Sequence, residues 1–268
     1  MALNGGRNVK SGGLQGMLYS SVQPPRAGAK GMQDAGARPT YVLLHGIGVS
    51  HRYLARLHQE LAKAADVYSF DLPGFGKSSR PGRQLQVEDF AAFVSDVLTD
   101  AGVSSYVPVG HSMGTQFAVE LALREPWRVA GAVLMGPVVE PSRKSVAQQA
   151  LALARDAMFN ESPTSNAVVF SDYFRAGPRW YLTELPVMMR YPLEERLAGV
   201  SQPVLVLRGT RDPIARRPWC VKLSAAAPQG SMGEILGQGH VFQHTAPAPA
   251  AQAINGWVRA LNGFDVTA

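Results

Sequence analysis

The sequence predicts an α/β fold built on a mostly parallel sheet, and three observations carry that expectation. Short β-rich runs alternate with amphipathic helical runs along most of the 268 residues. The strands "TYVLLHG", "SYVPVG" and "QPVLVLRG" are almost continuously apolar, as strands covered on both faces must be. Glycine and proline fall where strands pass into helices.

Taken in order, a weak first strand pair is followed by residues 20 to 40, rich in Gly, Pro and Ala, which read as a surface loop. "TYVLLHG" precedes a helix carrying Leu54, Leu57, Leu61 and Ala64 on one face, and "DVYSFDLPG" follows as a strand. A helix with Phe90, Phe93, Val94, Val97 and Leu98 stops at Gly102, before the strand "SYVPVG", a helix from Ser112 to Pro126 and the strand "RVAGAVLMG". Residues 140 to 199 break this rhythm after the sixth strand. They contain "RKSVAQQALALARDAMF", a polar break at "NESPTSN", and an aromatic, Met-rich run punctuated by Pro178 and Pro186, a pattern expected of a helical insertion. Alternation resumes with "QPVLVLRG", "RPWCVKLSAAAP", "GSMGEILGQG" and a last helix with Ile254, Trp257, Val258 and Leu261. One core domain, 1–139 with 200–268, and one insertion, 140–199, are expected.

Composition narrows the class. A hydrophobic fraction of 46% with 17% charged residues is that of a globular chain. The net charge of +6 comes from scattered arginines without a basic stripe, which argues against a nucleic-acid partner. No apolar run is long enough for a membrane span and the first residues lack a secretory pattern, so the cytoplasm is the expected compartment. Cys220 is the only cysteine, which excludes an internal disulfide and reads as a small buried residue. No His, Cys and carboxylate cluster has metal-ligand spacing and no glycine-rich phosphate loop follows a strand, so neither metal nor cofactor is expected.

The stretch "VPVGHSMGTQ" sets Ser112 between Gly110 and Gly114, after a strand and before a helix. A serine hydroxyl becomes a nucleophile only when a base removes its proton and a turn presents it to substrate, and a sharp strand-to-helix turn does the second. The base candidate is His240 in "LGQGHVFQ", with His244 as its close competitor. Asp212 in "VLRGTRDPIA" is the acid candidate, the alternative being a turn residue before Pro213. In "LLHGIGVSH", Gly46 and Gly48 let the loop fold close to Ser112, so that the backbone N–H groups of Ile47 and Met113 would stabilise an oxyanion. His45 and His111 read as structural, and His51 and His58 carry no catalytic argument.

With "LLHGIG", "DLPGFGKSS", "GHSMG", "RGTRDP" and "GQGHVF" in this order, residues 40 to 262 resemble the α/β-hydrolase superfamily, in the branch of single-domain esterases with a helical cap. The resemblance implies a triad of Ser112, Asp212 and His240, an oxyanion hole of Ile47 and Met113, and a cap over the pocket at 140–199. It makes Asp71 and Gly74 structural; Thr115 departs from the Gly or Ala often found there. Haloalkane dehalogenases and epoxide hydrolases of this fold use an aspartate where this chain has Ser112. Carbon–carbon bond hydrolases use serine with an Asn before it, where this chain has His111. The leading expectation is a serine hydrolase cleaving carboxylic esters of small to medium apolar or aromatic substrates through an acyl-enzyme. Carbon–carbon, lactone, thioester or amide cleavage on the same triad are alternatives, and a small-molecule receptor of this fold is an alternative of another class. Met158, Phe159, Phe170, Tyr173, Phe174, Trp180, Met188 and Met189 suit an apolar ligand; Trp180, Met188, Phe174 and Phe242 are the candidate substrate contacts. Arg175, Arg179 and Glu184 are candidates for a polar substituent.

Overall fold

The structure is a computed structural model that describes residues 3–23, 38–141 and 163–261. Of the loop expected at 20–40, residues 20 and 21 instead belong to a strand, Leu14–Ser21, and Thr40 opens another, Thr40–Leu44, while 24–37 lie outside the described residues, as do the helical run up to Phe159 and Met158 with it.

Eight strands form one sheet in the order β1-β2-β4-β3-β5-β6-β7-β8. The weak pair is a hairpin, β1 (Arg7–Ser11) with β2 (Leu14–Ser21), and β2 pairs antiparallel with β4 (Asp66–Asp71). All other pairings are parallel, through β3 (Thr40–Leu44), β5 (Val107–His111), β6 (Ala132–Met135), β7 (Val204–Gly209) and β8 (Gly230–Ile235). Every residue of β5, β6 and β7 is buried, which accounts for sequences that are apolar apart from His111 and Arg208 near the carboxyl ends of β5 and β7.

Helices cover both faces. On one side Val42, Leu44, Leu134 and Val206 pack with α2 (Val87–Asp100), α3 (Gly114–Arg124) and α7 (Arg217–Ala226). On the other, Tyr41, Leu43, Val109, Val133 and Leu207 pack with α1 (His51–Leu61) and the last helix, Pro247–Leu261. The alternation within β3 thus sends odd residues to one layer and even residues to the other. Cys220 is fully buried on α7, and burial pushes its thiol up to about 12, so it behaves as packing.

Between β6 and β7 the described chain forms α4 (Pro163–Ala176), α5 (Pro178–Arg190) and α6 (Leu193–Leu197). The expected polar break at "NESPTSN" is partly overturned: residues 163 to 166 are already the first turn of α4, with a proline where the missing N–H costs nothing. Pro178 likewise opens α5, whereas Pro186 stays inside it. These helices are held to the sheet's carboxyl edge at separate points. Asp172 accepts from Ser50 Oγ and from Arg52, Glu184 accepts from the Leu85 N–H, and Gln116 donates to the Met188 carbonyl. Glu120 on α3 accepts from Tyr191 and Arg196.

Two glycines make opposite stability predictions. A Cβ on Gly110 would lie 2.0 Å from the carbonyl oxygen of Gly114, a backbone atom that cannot swing away. Gly110→Ala is expected to cost about 3 kcal/mol or more. Gly256 is an exposed interior residue of the last helix with open space at its Cβ position, and Gly256→Ala should gain about 0.5–1 kcal/mol. Denaturant midpoints of the two variants against wild type check both signs.

Candidate active site

β3, β5, β6 and β7 are parallel, so their carboxyl ends share one edge, and each loop leaving that edge brings one part of the site. After β5, Ser112 adopts φ +57°, a left-handed conformation that serine enters only under tertiary constraint. Its N–H is held by the Met135 carbonyl at 3.0 Å, and its own carbonyl accepts from the Thr115 N–H at 3.0 Å and the Thr115 hydroxyl at 2.6 Å. The threonine that departs from the family pattern therefore closes the turn. Met113 follows as the first residue before α3, with its side chain buried.

The loop after β3 lies directly against this turn: a Cβ on Gly46 would sit 3.0 Å from Ser112 Cβ and 3.3 Å from its Oγ. Ile47, next in that loop, lines the same cavity as Ser112. His45 is structural. Its Nδ1 donates to the Gly46 carbonyl at 2.8 Å and its Nε2 accepts from the Leu72 N–H at 3.0 Å, tying the loops after β3 and β4 together.

After β7, Asp212 is buried and its Oδ1 accepts the N–H groups of Ile214 and Ala215 at 2.7 and 2.9 Å. This is a turn interaction of the kind the alternative reading proposed. Its other oxygen, Oδ2, lies 2.8 Å from His240 Nδ1, so Asp212 does both things at once. Burial would raise the carboxyl pKa, but the charge and hydrogen bond of His240, with the two backbone donors, outweigh it and hold Asp212 below the usual carboxylate value. Arg208, buried beneath the same loop, donates to the Ala215 carbonyl at 2.7 Å and pairs with Glu234.

The His240 ring is admitted by Gly136, at the end of β6 with φ +55°, where a Cβ would come within 3.0 Å of His240 Nδ1. Nothing in the sequence singled out Gly136 beyond its place after a strand. His244, the competing histidine, lies on the short helix α8 (Phe242–Thr245), buried and absent from the cavity wall. The structure joins His240, and not His244, to Asp212.

Ser112 and His240 line one cavity of about 180 Å³, together with Ile47, Tyr53, Val138, Tyr173, Tyr181, Leu185, Met188 and Ile214 among others. No Asp, Glu, Lys or Arg is among its described lining residues. Of the candidate substrate contacts only Met188 is in this wall. Trp180 packs edge-on against Phe75 and lines a neighbouring groove with Arg80 and Arg83. Phe174 is 85% exposed on the outer surface of α4, and Phe242 is fully buried in the core on α8. Arg175 and Arg179 are also outside the wall, as is Glu184, whose buried carboxyl is pushed up to about 7 by desolvation. Tyr173, named among the residues that suit an apolar ligand, is in the wall, whereas Tyr53 and Tyr181 were not singled out, because helical spacing shows which face is apolar but not which aromatic rings meet at an opening.

A family model described as alpha/beta hydrolase family matches residues 41–253. The chain belongs to the alpha/beta hydrolase family. Among curated relatives, this hydrolase is 23% identical over 242 residues to (E)-2-((N-methylformamido)methylene)succinate hydrolase of Acinetobacter baylyi, covering 84% of this chain and 92% of that protein. It is 33% identical over 112 residues to 1-acylglycerol-3-phosphate O-acyltransferase ABHD5 of Sus scrofa, 40% of this chain and only 32% of that protein. Among solved structures, the enol-lactonase of Burkholderia xenovorans LB400 superposes with a TM-score of 0.78 at 18% identity, over 94% of this chain and 99% of that one, a likeness of fold. Among the described residues no helix is long and apolar enough to cross a membrane, and no group of three His, Cys, Asp or Glu side chains is arranged to hold a metal ion.

Buried histidines set an acid sensitivity. Burial is the largest cause that lowers His58 to about 4, His111 to about 3 and His244 to about 4, the last with the Arg56 charge adding to it. In the unfolded chain these groups take a proton below pH ~6.5; in the folded chain they do so only near their lowered values. Their contribution is therefore whole above pH ~6.5 and is lost as pH falls from there, by roughly 1.4 kcal/mol per unit for each group at most. Asp212 and Asp71, both held below the usual carboxylate value, add losses only below pH ~4. The urea midpoint is expected to drop clearly between pH 7.5 and pH 5; a flat profile over that interval would contradict the assignment of these histidines as buried and neutral.

Proposed function

We propose that this protein is a serine hydrolase that cleaves neutral carboxylic esters with a compact acyl group. The observation that carries the reading is Ser112, on a left-handed turn, sharing a cavity with a histidine whose far nitrogen is bonded to a buried carboxylate. Ser112 Oγ attacks the ester carbonyl while His240 Nε2 takes its proton; the N–H groups of Ile47 and Met113 hold the oxyanion. The tetrahedral intermediate collapses, the C–O bond to the alcohol breaks, and His240 returns the proton to the departing oxygen. Water, deprotonated by His240, then releases the acid from the acyl-enzyme and restores Ser112. Asp212 keeps the Nδ1–H tautomer and stabilises the transient imidazolium.

The cavity wall supports the substrate class. A succinate carries two carboxylates, and a site for such a substrate, as the name of the Acinetobacter relative implies for that protein, calls for a cation in contact. The described wall here offers tyrosine, aliphatic and methionine side chains instead. A volume near 180 Å³ suits an acyl group of about benzoyl or butyryl size. The helices at 163–197 act as a cap in this reading, with Tyr181, Leu185 and Met188 setting acyl length. Lactones, the substrates named for the Burkholderia neighbour, need the same atoms and belong in the same assay.

Ser112→Ala is expected to abolish hydrolysis of p-nitrophenyl butyrate and labelling by a fluorophosphonate probe without lowering the unfolding midpoint. Asp212→Asn should lower kcat by about 10³- to 10⁴-fold, because an amide favours the wrong imidazole tautomer. Turnover separates an enzyme from a receptor: a receptor would release about one equivalent of p-nitrophenol and stop. Retention of most activity by the serine variant would remove the proposal.

Selectivity tests the cap. For acetyl, butyryl, benzoyl and octanoyl esters, Met188→Ala should raise kcat/KM for octanoyl relative to acetyl by roughly tenfold or more, the scale of an altered apolar contact. Trp180→Ala, which is outside the wall, should change all four alike. A uniform response to Met188→Ala would mean that this residue holds the helices together and does not meet substrate.

A further inference from the structure

Three buried hydrogen bonds join the loops that bear the candidate catalytic groups, and none belongs to the triad. The Gly46 N–H donates to Tyr53 Oη at 2.7 Å. Tyr53 Oη lies 2.9 Å from His111 Nδ1. His111 Nε2 lies 2.9 Å from the His240 carbonyl oxygen. A carbonyl can only accept, so His111 carries its proton on Nε2, and its Nδ1 must then be the acceptor. The phenol accepts from Gly46 and donates to His111. Each of the three bonds thus has one possible direction. Burial keeps both members neutral: it pushes the Tyr53 phenol well up and His111 down to about 3.

The ends of this chain are informative. Gly46 precedes Ile47, a candidate oxyanion donor; His111 precedes Ser112; and the His240 carbonyl belongs to the candidate base. The rings meet in the same sequence, Tyr53 edge-on to His111 at 5.3 Å between centroids and His111 tilted against His240 at 4.7 Å. One phenol on α1 therefore references the oxyanion loop, the nucleophile turn and the base to one another. A loss of that reference displaces groups whose mutual placement matters on a scale of ångströms.

We infer that Tyr53 and His111 are positioning residues, a one-directional hydrogen-bond relay that sets the oxyanion loop and the His240 loop against Ser112. The inference rests on the serine-hydrolase reading above. Neither residue supplies or removes a proton in the reaction; each acts through the backbone it holds.

The test compares wild type with Tyr53→Phe, His111→Leu and His111→Gln. It reads kcat and KM on p-nitrophenyl butyrate, the rate of fluorophosphonate labelling at Ser112, and inhibition by a trifluoromethyl ketone relative to the matching methyl ketone. Tyr53→Phe and His111→Leu should lower kcat and the labelling rate by about 10- to 100-fold while KM stays within about threefold. The preference for the trifluoromethyl ketone, which forms a tetrahedral adduct, should fall in parallel. His111→Gln keeps one donor and one acceptor and should recover part of what His111→Leu loses; this pair decides the question on its own if Tyr53→Phe does not fold. Labelling at the wild-type rate in Tyr53→Phe, or equal losses in His111→Gln and His111→Leu, would overturn the relay while leaving the hydrolase reading intact. Absence of labelling and turnover in wild type would instead overturn the hydrolase reading, and the relay's role with it.

Discussion

The left-handed turn at Ser112 is the constraint on which the site depends. A serine held at φ +57° costs energy that the local sequence does not return, so the surrounding structure must hold it there. It does so by close backbone packing. Gly110 and Gly114 meet with no room for a side chain between them, and Gly114 in turn lies against the carbonyl oxygen of Leu44, where a Cβ would come within 2.2 Å. The end of β3, the turn after β5 and the first turn of α3 thus pack backbone against backbone.

Around that unit the parallel sheet does the assembling. Because β3, β5, β6 and β7 run the same way, loops distant in sequence leave from one edge, and each needs only a short local device to aim its residue. Asp212 is fixed by two backbone N–H groups of its own turn, His240 by Asp212 and by the space at Gly136, and the loop after β3 by His45 and Tyr53. Buried polar groups dominate these devices. Specific hydrogen bonds fix the aiming groups, and buried neutral histidines such as His45 and His111 make the arrangement acid-sensitive.

The helices between β6 and β7 follow a different logic. They attach through side chains: Asp172 to Ser50 and Arg52, Glu184 to Leu85, and Glu120 to Tyr191 and Arg196. Their inner faces supply Val169, Tyr173, Tyr181, Leu182, Leu185 and Met188 to the wall of the cavity, while Phe174 remains exposed on the outside. Attachment by discrete contacts lets the wall vary in sequence without disturbing the Ser112 turn beneath it.

The sequence by itself determined the eight-strand order of appearance, the interruption after the sixth strand and the placement of Asp212 and of a histidine-bearing segment after the last two strands. Those features are written locally, in apolar periodicity and in glycines at strand ends, where backbone sterics leave few choices. Only the tertiary structure decided between His240 and His244, since both sit four residues apart in similar sequence and the difference is which one Gly136 and Asp212 make room for. It also removed Phe174, Trp180 and Phe242 from the cavity wall and brought in Tyr53 and Tyr181. Composition shows that aromatic rings are present, but which of them turn inward depends on how α1, α4 and α5 pack on the sheet edge, and that packing is a property of the whole fold.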